Sequence, residues 1–134
     1  MWPVEYIPNE DAVYFRIHKS FIVAGNLKPR AFQERGTDEG KSMSTDWSKY
    51  ANPEGSKLGA RIPEDNGIVS FNVGKLRGIK LNVEHAPLEH NRAHTDVNGL
   101  PNDLRDVELR TKMLDIFKWE ILPPVEVSQN NQNF

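Results

Sequence analysis

The chain reads as an α+β domain: a small antiparallel sheet, one long C-terminal amphipathic helix packed on it, and a long irregular loop in between. Two strand signals, one helix signal and one unpatterned stretch predict this class. Val13, Phe15 and Ile17 alternate with Tyr14, Arg16 and His18, and Ile79, Leu81 and Val83 alternate with Lys80, Asn82 and Glu84. That is the period of half-buried strands. Leu104, Val107, Thr111, Leu114, Phe117 and Ile121 recur at three- and four-residue spacing, and Leu109, Met113 and Ile116 widen the stripe. Such a stripe predicts a helix lying on the sheet. Between residues 28 and 67 neither period is sustained, and Pro29, Gly36, Gly40, Pro53, Gly55, Gly59 and Pro63 punctuate the segment. Long loops of this kind are often functional when ordered.

At 134 residues with 37% hydrophobic content, residues 1–124 suit a single domain and residues 125–134 a mobile polar tail. The absence of cysteine excludes disulfides, thiolate zinc sites and a Cys nucleophile. A net charge of −2 gives no global attraction to nucleic acid or to an anionic membrane. No apolar run approaches spanning length, and acidic residues stand at the amino terminus where a signal peptide would be basic. The expectation is a soluble cytoplasmic protein.

Taken in order, Met1 to Asp11 is an extended lead-in, with Pro3 and Pro8 opposing helix and Trp2 and Tyr6 available to pin it. The strand around Val13 to Ile17 puts Tyr14, Arg16 and His18 on one face, either solvated or lining a pocket. Phe21 to Ala24 is turned back by Gly25 and Asn26. Within the irregular loop, Ser42 to Tyr50 reads SMSTDWSKY. Trp47 anchors it, and Thr45 or Asp46 caps a short helical turn shared with Tyr50. Ile68 to Val73 is a strand that pairs with Ile79 to Val83 across a basic tip holding Lys75 and Arg77.

Val83 to Gly99, VEHAPLEHNRAHTDVNG, concentrates the chemistry. Pro87 ends one strand, Ala93 to Val97 alternates again, and Asn98-Gly99 turns the chain, so His94 and Asp96 share a face. His90, Asn91 and Arg92 sit on the connection. His85, His90 and His94 are spaced to offer three imidazoles to a divalent metal with an open position for water, and Asp46, Asp96 or Glu84 could orient them. Without a metal, Arg16, Arg92 and Lys49, joined by His18 and Ser44, would hold a phosphate or carboxylate. His94, paired with Asp96 or Asp46, is then the general acid or base. Histidines that merely hydrogen-bond to backbone are the bland alternative throughout. No Gly-rich phosphate loop or nucleophile elbow is present.

The blocks YFRIH (Tyr14 to His18), MSTDWSKY (Met43 to Tyr50) and the pattern His85, Pro87, Asn91, Ala93, His94, Val97 resemble a group of small uncharacterised bacterial proteins. The resemblance implies a bacterial protein of α+β build and no activity. Arg16 on an opening strand, followed by Ser44 and Thr45, is also similar to ADP-ribosyltransferase-like domains, whose late acidic motif is not evident here. The resulting expectation is a domain whose His/Arg/Asp site binds or acts on a phosphorylated or nucleotide-like small molecule. The alternative is a non-catalytic accessory protein that binds a protein partner.

Overall fold

The structure is a computed structural model that describes residues 1–37 and 40–128. Its centre is a seven-stranded antiparallel sheet. The elements run β1 (Ala12–His18), β2 (Ile22–Val23), β3 (Asn26–Leu27), β4 (Arg35–Thr37), β5 (Gly40–Trp47), α1 (Pro53–Leu58), β6 (Asn66–Asn72), α2 (Val73–Gly78), β7 (Asn82–His85), β8 (His94–Asn98), α3 (Glu108–Leu114) and β9 (Lys118–Ile121). The strand order is β7-β8-β5-β1-β6-β9, with β4 beside β5 and β2-β3 as a separate hairpin.

Strand alternation sorts the side chains onto two faces. One face buries Val13, Ile17, Met43, Trp47, Val69, Phe71, Val83, Val97 and Trp119. It is covered by Phe32, by Val73 and Leu76 of α2, and by Met113 of α3. Each such side chain contributes roughly 1.5–3 kcal/mol by leaving water. The other face is polar: Tyr14, Arg16 and His18 from β1, Ser42, Ser44 and Asp46 from β5, His94 and Asp96 from β8. Helix α1 lies across β1, β6 and β9 on this side, its start capped by Asn52, whose side chain accepts from the Gly55 amide at 2.7 Å.

Several expectations are corrected. The long C-terminal helix is absent: α3 has seven residues, stops at Asp115, and the chain becomes strand β9, which pairs with β6. Phe117 and Trp119 are buried while Lys118 and Glu120 are exposed. That stretch therefore obeys period two, and its aromatic and β-branched residues favour the strand. Upstream, Asp103 draws Arg105 into an Asx turn, the Arg105 amide donating to its carboxylate at 2.9 Å, so helix starts only later. The irregular loop is also mostly structured, since Gly40–Trp47 is a central strand that sends Met43, Thr45 and Trp47 into the core.

Strands β6 and β7 do not form a hairpin. Asn72 caps α2 through the Lys75 amide at 2.9 Å, and Val73 and Leu76 are buried. The turn through Lys80, at φ 74°, then leads to β7 at the opposite end of the sheet. Near the carboxyl end, Val127 is buried and the Ser128 amide donates to the Gly25 carbonyl at 2.8 Å. The segment expected to be a mobile tail is thus tied down as far as Ser128, and 129–134 lie outside the described residues. No helix among the described residues is long and apolar enough to cross a membrane.

The feature that positions the site is a fork in the sheet. β1 pairs with β6 over its whole length, but with β5 only at Val13↔Trp47 and Tyr14↔Asp46. β4 takes up the other end of the same β5 edge, from Arg35↔Ser42 to Thr37↔Gly40. Between these two partners, β1 and β4 splay apart over Ser44.

Candidate functional site

The fork holds a cavity of about 920 Å³, within the range of small-molecule sites. Its floor is Ser42 and Ser44 of β5, one wall is His94 and Asp96 of β8, and the other is Phe15, Arg16 and His18 of β1. Arg35 enters from β4, and the segment from Gly59 to Ile62, following α1, forms the roof.

The hydrogen bonds assign the neutral tautomers of His94 and His18. The His94 Nδ1 lies 2.8 Å from the Ala86 carbonyl, which only accepts, so Nδ1 carries the proton and Nε2 keeps its lone pair in the neutral ring. Asp96 Oδ1 is 3.8 Å from that Nε2 and accepts a 2.8 Å bond from the Ser42 hydroxyl. His18 is the converse. Its Nδ1 accepts from the Ser20 amide at 3.1 Å, leaving Nε2 as the N–H donor. One cleft therefore holds an imidazole poised to accept a proton and another poised to donate.

Arginine dominates the charge. Arg16 donates to the Ser56 carbonyl at 3.1 Å and passes so close to Gly59 that a Cβ there would sit 2.9 Å from its Nη1. Arg35 and Arg61 are exposed. Among the described residues, none of the three has a carboxylate within 4.0 Å. Among the described residues, Asp96 is the only acid lining the cavity.

Of the sequence-predicted residues, the fold brings together Arg16, His18, Ser44, His94 and Asp96. Asp46 is buried beside them, with both oxygens engaged: Ser56 Oγ donates at 2.7 Å and Asn91 Nδ2 at 2.8 Å. It staples α1 and the Pro87 to Ala93 corner to the sheet. Lys49 and Arg92 belong to another cluster, around Glu5. Lys49 bonds Glu5 at 2.6 Å, the Tyr50 hydroxyl donates to the same carboxylate, and Arg92 stacks between Tyr50 and Trp2, 4.1 and 4.6 Å from their ring centres. The Lys49 and then the Tyr50 hydrogen bond hold the Glu5 carboxyl below its ordinary range.

The three-histidine metal arrangement is not assembled. β7 pairs with β8 as His85↔Thr95, so His85 and His94, one register position apart, face opposite sides of the sheet. His85 is buried in the core with both nitrogens in use: Nδ1 accepts from the Glu5 amide at 3.0 Å and Nε2 donates to the Arg92 carbonyl at 2.7 Å. His90 is exposed on the turn. Among the described residues no three His, Asp or Glu side chains gather as a metal site.

Sequence reasoning passed over Arg35, Arg61, Gln33 and Asn66, all on the cavity wall. Only Arg35 left a trace: Met43, Thr45 and Trp47 alternate, and reading them as a strand turns Arg35 to Ser42 into a hairpin with Arg35 on the serine face. Tyr14 shares that face too. Burial, and then the charges of Glu120 and Glu54, push its phenol up, so it stays neutral. Compared with protein-family models, with curated proteins and with solved structures, the chain matches none.

Proposed function

We propose that the cleft binds a phosphorylated small molecule, with His94 as the proton-accepting group beside it. What carries this reading is that Arg16, Arg35 and Arg61 line one cavity and, among the described residues, have no carboxylate within 4.0 Å. Like charges lining one cavity repel one another. A phosphate relieves that repulsion and matches their forked donors. The chain as a whole is slightly acidic, so the attraction is local to the cleft and not a property of the surface. The Ser44 hydroxyl adds a neutral donor on the floor, while that of Ser42 is taken by Asp96.

The orientation of the two imidazoles supports chemistry as well as binding. His94 presents a lone pair held in place by its Ala86 bond, with an Asp96 carboxylate oxygen 3.8 Å from it. His18, further along β1, offers an N–H donor to another part of the ligand.

The test is calorimetric titration and thermal shift with inorganic phosphate and pyrophosphate, on the wild type and on Arg35→Gln and Arg61→Gln. A ligand that prefers the folded form raises the transition. Each charge-assisted bond is worth about 1.5–3 kcal/mol, so either substitution weakens binding about tenfold or more. No heat and no shift with millimolar phosphate or pyrophosphate overturns the proposal.

A further inference from the structure

We infer that the phosphorylated ligand is a nucleotide, with its base seated at the end of the cleft away from His94; this rests on the phosphate reading above. His94 stands level with Tyr14, through Asp46. The cleft then follows β1 to His18, four residues on, a distance of roughly 13 Å at 3.3 Å per residue. Phe21 lies beyond it, in the short turn Lys19–Phe21 that His18 caps. No bare phosphate spans that length. The ligand is extended, and its second half meets a different set of side chains.

At this end aromatic, apolar and amide groups join the arginines. Phe21 lines the cavity, and the Arg30 guanidinium lies 5.8 Å from its ring centre. Ile62 lines the roof with nearly half its surface exposed. Asn66, buried and paired with His18 in the ladder, donates its Nδ2 to the Ile62 carbonyl at 2.9 Å. Gln33 donates its Nε2 to the Arg30 carbonyl at 2.6 Å. Each amide therefore has one N–H engaged, while neither oxygen has a partner among the described residues.

Two apolar surfaces together with two amide acceptors suit a flat ring that carries N–H donors on its edge. A sugar phosphate would leave Phe21 and Ile62 uncovered, and an acyl phosphate would leave both amide oxygens unsatisfied. A nucleobase uses all four, by stacking and by edge hydrogen bonds.

The experiment titrates the full chain with inorganic phosphate, pyrophosphate, ribose phosphate and the four common nucleoside monophosphates, on the wild type, Phe21→Leu and Phe21→Trp. At least one nucleotide is expected to bind the wild type about tenfold tighter than ribose phosphate, the scale of one base–aromatic stack. Phe21→Leu is expected to remove that gain and leave phosphate binding unchanged, whereas Phe21→Trp retains it. If Phe21→Leu fails to fold, shown by loss of its cooperative melt, Phe21→Trp and the wild-type ligand series decide. Nucleotides binding no tighter than ribose phosphate, with phosphate still bound, overturn the inference and leave the phosphate site standing. No binding by any phosphate removes both.

Discussion

Arg110 is the residue whose removal should cost the fold most per atom deleted. It is 1% exposed, yet its guanidinium meets only carbonyls: Nε donates to Phe32 O at 2.7 Å, Nη2 to Pro101 O at 2.8 Å and Nη1 to Asp106 O at 3.1 Å. Arg110→Ala strands the buried Phe32 carbonyl, a loss of about 1–3 kcal/mol. The Pro101 and Asp106 carbonyls are nearer the surface and rehydrate, losing about 0.5–1.5 kcal/mol each. Together these come to about 2–6 kcal/mol before the stem's lost packing is added, a large part of the stability of a domain this size. Arg110→Lys, with a point charge in place of a fork, recovers only part. Urea unfolding reads this as a lower midpoint at unchanged slope. An Arg110→Ala midpoint equivalent to a loss of less than about 1 kcal/mol would refute the reasoning. Phe32 adjoins Gln33, so the same variant should also loosen the cleft wall, seen as faster amide exchange over residues 31–35.

Two further perturbations separate site from scaffold. Gly59→Ala places a Cβ 2.9 Å from Arg16 Nη1, and the end of a flexible side chain yields more readily than backbone; phosphate affinity should fall several-fold while the melting temperature stays within a few degrees, as titration and calorimetry would show. Glu5 has its carboxyl depressed from the ordinary 4.5, first by Lys49 and then by Tyr50. Its stabilising contribution is therefore present above pH 4.5 and lost as pH falls through the lowered value. Glu5→Gln should flatten the acid limb of a melting-temperature profile, and an unchanged limb would show that this cluster does not hold the amino-terminal segment.

How much was legible depended on whether one period was read or two were mixed. β1 and β8 alternate cleanly, so the pairing of Arg16 with His18 and of His94 with Asp96 on one face followed from spacing alone. β5 alternates just as well, but its polar positions are Ser42, Ser44 and Asp46, residue types associated with turns, and its apolar face includes Thr45. Turn chemistry masked the strand. At the carboxyl end, Phe117 and Ile121 fall on the α3 stripe by coincidence of spacing, and Trp119 between them marks the change of period. The cleft was half-legible for a related reason: Arg35 and Arg61 reach it from a hairpin and from the segment after α1, and no local pattern links those to β1 or β8. His85 shows the opposite failure. Its spacing to His94 suggested partnership, and a single register step sent it into the core as a link between Glu5 and Arg92.

The fork has a mechanical corollary. Because β4 and β1 share one neighbour and, among the described residues, no ladder joins them across the gap, β4 is an arm that pairs with the sheet along β5 alone, its base held by the Glu34 carboxylate on the Gly99 amide. A tilt of that arm changes the separation between Arg35 and Arg16 while every other ladder keeps its register. The width of the aperture is thus set by the lean of β4, and an occupant that draws the two guanidinium groups together would narrow the opening through which it entered.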